Sequence, residues 1–180
     1  MKLLFSLLTF LISFNSIADS SIQKRLDIGI SLHQIRLHEF LDQDLPSFNS
    51  LETGGYLGLA IHKKISEQSY IGTKIDIQYL SEHQLNSVRA LDYLYQFNPN
   101  WRLNGFIGAA RYDFRTPAYG YLIGAGLEYK NSTWRNWSIH SELQWFDKLA
   151  RDKLHPNDPK LNSDSFIDIR ALTLGVSYYF

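Results

Sequence analysis

The chain reads as all-β, an eight-stranded antiparallel up-and-down transmembrane β-barrel, and three observations predict it. The final stretch, Arg170 to Phe180, alternates cleanly, with Leu172, Leu174, Val176, Tyr178 and Phe180 on one side and Ala171, Thr173, Gly175, Ser177 and Tyr179 on the other. Seven earlier stretches alternate in the same way and are separated by polar connections. The face opposite the apolar one carries Asp27, Lys74, Asp76, Asp92, Arg102, Glu128, His140 and Glu142, among many glycines. A soluble eight-stranded barrel has its apolar side inside. Here the aliphatic face must point outward, because the alternative would place these charges in lipid.

The N-terminus reads separately. Met1-Lys2, the apolar run from Leu3 to Ile12, and Ser16-Ile17-Ala18 have the layout of a secretory signal, which predicts cleavage after Ala18. The expected domains are therefore a signal peptide over 1–18 and a barrel over 19–180, which is 180 − 18 = 162 residues. There are no cysteines, so no disulfide framework and no lipid-attached cysteine is expected. Net charge is zero, with no basic footprint for nucleic acid. Past the signal, no run approaches the ~18 apolar residues that a membrane helix needs. The slightly negative mean hydropathy fits a barrel whose strands are greasy on one side only.

Strand 1 is expected over about Arg25–Leu37, with Leu26, Ile28, Ile30 and Leu32 outward. Its phase changes after His33, which predicts a bulge or the emergence of the strand from the membrane. Glu39–Glu52 reads as a polar loop. Strand 2 (Thr53–Lys63) sets Leu57, Leu59 and Ile61 against Tyr56, Gly58, Ala60 and His62. After the turn at 64–69, strand 3 sets Ile71, Thr73, Ile75, Ile77 and Tyr79 against Gly72, Lys74, Asp76 and Gln78. A loop at 81–86 precedes strand 4 (Ser87–Phe97), in which Leu91, Tyr93, Tyr95 and Phe97 face away from Ala90, Asp92, Leu94 and Gln96. Asn98-Pro99-Asn100 is a turn.

Strand 5 (Trp101–Phe114) turns Leu103, Gly105, Ile107 and Ala109 outward, and Thr116-Pro117 makes a short loop. Strand 6 (Tyr119–Lys130) alternates Tyr119, Tyr121, Ile123, Ala125, Leu127 and Tyr129 with Gly120, Leu122, Gly124, Gly126 and Glu128. Strand 7 sets Trp137, Ile139, Leu143 and Trp145 against Ser138, His140, Glu142, Gln144 and Phe146. A long loop over Lys148–Asp164 leads to strand 8.

An even strand count puts both termini on one side. If that side is periplasmic, the turns at 64–69, 98–100 and 131–136 are all short, whereas two of the outer connections, 38–52 and 148–164, are long. This is the asymmetry of outer-membrane barrels. Trp101, Trp134 and Trp137 with Tyr95, Phe97, Tyr129, Tyr178 and Phe180 mark one aromatic belt. Tyr79, Phe114, Tyr119 and Trp145 mark the other.

The inward residues Lys74, Asp76, Asp92, Arg102, Glu128, His140 and Glu142 are the candidate site, expected as a structural polar network that fills a narrow lumen. Lys74 and Asp92 should lie close across the strand 3–4 hairpin. No catalytic, cofactor or metal set is expected. In His140-Ser141-Glu142 the serine points away from its neighbours, so the triplet does not form a nucleophile and base, and the His and Ser spacing of lipid A deacylase barrels is missing from strand 7. The histidines come from strands and heights too scattered for ligand spacing.

Three segments, Tyr119-Gly-Tyr-Leu-Ile-Gly-Ala-Gly-Leu-Glu-Tyr129, Trp137-Ser-Ile-His-Ser-Glu-Leu-Gln-Trp-Phe146 and Ala171-Leu-Thr-Leu-Gly-Val-Ser-Tyr-Tyr-Phe180, resemble the last three strands of the small OmpA-like outer-membrane barrel family. The resemblance covers the C-terminal third closely and the rest in layout. It implies the fold more than an activity, and no peptidoglycan-binding domain is expected to follow. The reading is thus a non-catalytic protein of the Gram-negative outer membrane that works through its outer loops, with a narrow pore or a lipid A-modifying enzyme as alternatives. Its expected partners are membrane lipid and lipopolysaccharide, a surface ligand, and the barrel-assembly machinery through Phe180.

Overall fold

In a computed structural model, described here over residues 21–39, 49–80, 83–114, 116–150 and 165–180, the chain is a closed barrel with strand order β1 to β8 and no helix among the described residues. The strands are β1 (Ile22–Glu39), β2 (Asn49–Lys64), β3 (Ser69–Leu80), β4 (His83–Gln96), β5 (Trp101–Phe114), β6 (Thr116–Tyr129), β7 (Trp137–Ala150) and β8 (Ser165–Tyr179). All neighbours are antiparallel, and β8 closes on β1 from Arg25 opposite Tyr179 to Glu39 opposite Ser165. Closure leaves no edge with unpaired backbone groups, which hydrocarbon would not tolerate.

Lipid-facing and lumen-facing sides follow the alternation. Ile28, Ile30, Leu103, Ile107, Ile123, Leu143, Leu172, Leu174 and Val176 are exposed on the outer wall, while Asp27, Lys74, Asp76, Asp92, Glu128 and Glu142 are buried inside. Trp137 and Trp145, eight residues apart on β7, are separated by roughly 20 Å of height at ~3.4 Å per residue and ~45° tilt. With the rings themselves added, that matches an apolar band of about 25 Å.

At the end that carries the termini, the turns are held by local hydrogen bonds. The Asn98 side-chain oxygen accepts from the backbone N–H of Asn100 and of Trp101, both at 2.9 Å, and the Asn131 side-chain oxygen accepts from the Thr133 N–H at 3.0 Å. Aromatic rings gather there, Trp101 against Tyr129 at 4.8 Å and Trp137 against Tyr178 at 4.9 Å between centroids. Exposed Tyr79, Tyr121 and Trp145 mark the other end of the band. The side chain of Phe114 lies outside the described residues.

Four expectations change at the end opposite the termini, where the strands run further than polarity suggests. Asn49–Glu52 belongs to β2, His83–Asn86 to β4, Thr116 and Pro117 to β6, and Lys148–Ala150 to β7. Their polar residues lie above the apolar band, so hydrophobic alternation fades there while backbone pairing continues. The remaining parts of the two long loops, residues 40–48 and 151–164, and the expected signal at 1–18 fall outside the described residues.

The phase change in strand 1 is not a bulge, because β1 keeps unbroken register with both neighbours. Ile35 is an apolar residue that points into the lumen. The bulges are elsewhere. In β4, two residues separate Arg89 from Asp92 where one separates Lys74 from Gly72 on β3, and Ala90 and Leu91 both face outward. In β7 the shift falls between Phe146 and Leu149.

Two glycines of the closing seam have a defined task. The Tyr56 ring on β2 crosses Gly29 on β1 and Gly175 on β8 to reach His140 on β7. A Cβ at Gly175 would meet the Tyr56 hydroxyl and, at 2.6 Å, the Ile28 carbonyl oxygen. Gly175→Ala should therefore cost about 1–3 kcal/mol by overpacking. Gly105, where a Cβ would meet nothing within 4 Å, should accept Ala with a gain of about 0.4–1 kcal/mol. Urea midpoints of the two variants, read by heat-dependent gel mobility, check the contrast.

Candidate functional site

The lumen is built in layers. Nearest the termini, Arg25 Nη1 approaches Glu128 Oε2 at 3.3 Å, Arg102 Nη1 donates to the Tyr179 hydroxyl at 3.2 Å, and Tyr179 donates to Glu128. The Arg102 guanidinium also lies over the rings of Tyr70 and Tyr179, at 5.3 and 5.5 Å.

The central layer has two hubs. Lys74 Nζ sits 2.7 Å from Asp27, 2.9 Å from Asp76 and 3.8 Å from Glu142. Arg89 grips Glu142 with both terminal nitrogens, at 3.0 and 2.6 Å, and donates through Nε to Asp76 at 2.9 Å. Its guanidinium carbon lies 3.6 Å from the centroid of the Phe106 ring. Planar, bidentate pairing of this kind is what a guanidinium offers and an ammonium cannot.

Around the hubs, Asn104 donates to Glu142 at 3.0 Å, His62 lies 3.3 Å from Asp92, and Arg25 Nε lies 3.0 Å from Asp27. On the seam side, His140 is held between Tyr56 and Ser177, the latter at 2.8 Å. Above Glu142 a run of side-chain amides leads away from the charges. Gln144 donates to Glu142 at 3.1 Å, Gln78 donates to Gln144 at 2.8 Å, and His33 lies 2.6 Å from Gln78.

The uppermost layer is apolar. Ile35, Leu80, Leu85, Ala110, Tyr112, Ala118, Phe146, Leu149, Ile167 and Ile169 are buried in one cluster that fills the lumen at the end opposite the termini. Sequence parity assigns several of these to the inner face. Their joint meaning emerges only once all eight strands are brought round.

All seven sequence-predicted residues are in the lumen and buried. Asp76, Asp92, Lys74 and Glu142 meet through the two hubs, Arg102 and Glu128 meet in the lower layer at 3.9 Å, and His140 stands apart with Tyr56 and Ser177. Asp92 lies opposite Gly72, two residues along β3 from Lys74 and so as near in register as expected, while the Lys74 ammonium reaches Asp27 and Asp76. The bulge at Ala90 and Leu91 places Arg89 opposite Lys74, and Asp92 turns to His62 and, at 3.7 Å, to Arg89.

Arg89 is the functional residue that alternation missed, since it shares parity with outward Leu91 until the bulge is known. The signal was Val88, an apolar residue of the opposite parity one position earlier. Arg25, on the face of Asp27, was legible by simple parity. Ser141 lies on the opposite face from His140 and Glu142, opposite Leu127 and Leu174 in the ladders.

No family profile and no curated protein sequence matches the chain. Solved structures do. The attachment invasion locus protein Ail of Yersinia pestis, crystallised with the heparin analogue sucrose octasulfate, is 16% identical, with 89% of this chain and 99% of that one covered and a TM-score of 0.52. Neisserial surface protein A is 12% identical over 89% of this chain and 98% of that one, with a TM-score of 0.52. The outer membrane protein OprG of Pseudomonas aeruginosa is 10% identical over 88% and 95%, with a TM-score of 0.51. At these identities the likeness is one of fold, and the chain has the closed eight-stranded antiparallel barrel of small outer-membrane proteins.

Proposed function

We propose that this chain is a non-catalytic, non-conducting integral protein of the Gram-negative outer membrane, of the OmpA-like kind, that acts at the cell surface through the connections opposite its termini. The observation that carries the reading is the filled lumen. A layer of mutually paired charges is followed by an apolar plug around Phe146, Leu85 and Ile169, both buried from water. Eight strands leave just enough interior for side chains, and here side chains occupy it. What remains for interaction is the outer wall and the two long connections, 40–48 and 151–164.

On this reading, residues 1–18 direct export, 19–180 form the barrel, the termini are periplasmic, and Phe180 is the signal read by the assembly machinery. His140 and Ser177 are sealed inside, where no substrate reaches them, which supports a role without catalysis.

The test combines three measurements. Epitopes inserted into 40–48 and 151–164 should be detected on intact cells, and one at 65–68 only after lysis. Reconstitution in planar bilayers should give no unitary conductance, and overexpression should leave the mass of lipid A unchanged. Conductance steps would move the protein to the pore class, and a lipid A mass shift to the enzymes.

A further inference from the structure

The outer wall carries a groove of about 790 Å³ where β6, β7, β8, β1 and β2 follow one another round the barrel. Register defines its walls. One row of cross-strand neighbours runs Ile123, Trp145, Arg170, Gln34, Leu51, and the row beside it runs Ala125, Leu143, Leu172, Leu32. Small Ala125 deepens the trough between large aliphatics on the lipid-facing side.

Arg170 is the anomaly. It is an exposed cation in a lipid-facing row whose other members are Ile123, Trp145, Leu51 and the uncharged Gln34, level with the aromatic ring that marks the edge of the band. Its guanidinium lies 5.4 Å from the Trp145 ring centroid. Arg111, at the same end of the barrel, pairs with Asp113 at 2.9 Å. A guanidinium fixed over an aromatic ring at the interface is suited to bidentate binding of a phosphate. Acyl chains of the same molecule would run down the apolar trough, each buried methylene adding to the hold. Polar residues beyond this row, such as Arg36 opposite Asp168, belong to the zone above the band.

We propose that this groove is a binding site for lipid A, with one phosphate on Arg170 and acyl chains along Leu143, Leu172 and Leu32. The choice of lipid A over a glycerophospholipid rests on the orientation given under Proposed function, which puts this end of the wall in the outer leaflet.

The test is native mass spectrometry of the refolded full barrel titrated with bisphosphorylated lipid A and, in parallel, with phosphatidylglycerol. One lipid A per barrel is expected, with affinity about tenfold weaker in Arg170→Gln, the value of a single charge-assisted contact. Arg111→Gln should bind as the unsubstituted protein does, and phosphatidylglycerol should bind more weakly with no dependence on Arg170. Equal lipid A affinity for Arg170→Gln, an equal loss in Arg111→Gln, or Arg170-dependent binding of phosphatidylglycerol would each overturn the assignment. Density-gradient fractionation of cells separates the two levels, since absence of the barrel from the outer-membrane fraction would sink the proposed function itself.

Discussion

Replacing Arg89 with methionine is expected to destabilise the barrel by about 3–5 kcal/mol, because it strands buried carboxylates. Glu142 would lose both of its guanidinium hydrogen bonds and Asp76 its Nε donor, leaving Lys74 as the neighbouring cation of both, while Asn104 and Gln144 still donate to Glu142. Methionine retains the apolar stem against Phe106, so the loss reports charge and hydrogen bonding more than packing. The double variant Arg89→Met/Glu142→Gln should recover part of the deficit, with a coupling of about 0.5–3 kcal/mol for groups in one network. Arg111→Met is the control, as its pair with Asp113 is solvent-exposed and its removal should change stability by less than about 1 kcal/mol. Equilibrium unfolding in urea from lipid vesicles reads all three. An Arg89→Met barrel as stable as the control would mean that the carboxylates find other partners.

Phe146→Ala should cost about 3–5 kcal/mol, the usual loss on truncating a large buried ring. Phe146 is fully buried in one cluster with Leu85, Tyr112, Leu149 and Ile169. The same variant should still give no unitary conductance, because the amide and charge layers beneath the plug remain closed. If it conducts while folded, the plug is the gate and the protein belongs with the pores.

Most of the barrel was legible because the membrane imposes a strict rule on each strand. Every second residue of β8 must suit hydrocarbon, so eleven residues there disclose the face, the strand and the closing seam together. The rule stops at the edge of the band. Asn49–Glu52 and His83–Asn86 continue their strands in a zone where polar and apolar residues are equally acceptable outside, and the pattern that would announce them is gone.

The candidate site was legible as a set and not as a set of pairs. Parity puts Lys74, Glu128 and Glu142 inside, but which carboxylate meets which cation depends on register between distant strands. One extra residue in β4 was enough to bring Arg89, which simple alternation turns outward, opposite Lys74. The apolar plug was hidden for a related reason. Ile35 looks like a phase error within its own strand and becomes intelligible only beside Leu85, Ile167 and Phe146 from other strands.

The central claim is that aliphatic residues meet lipid and ionic groups are sealed within. The absence of cysteine lets single-cysteine nitroxide labels report it cleanly along β8. Oxygen accessibility measured in lipid vesicles should alternate with a period of two, high at 172, 174 and 176 and low at 171, 173 and 177. The opposite phase, or a flat profile with Leu174 shielded and Thr173 open to lipid, would contradict it.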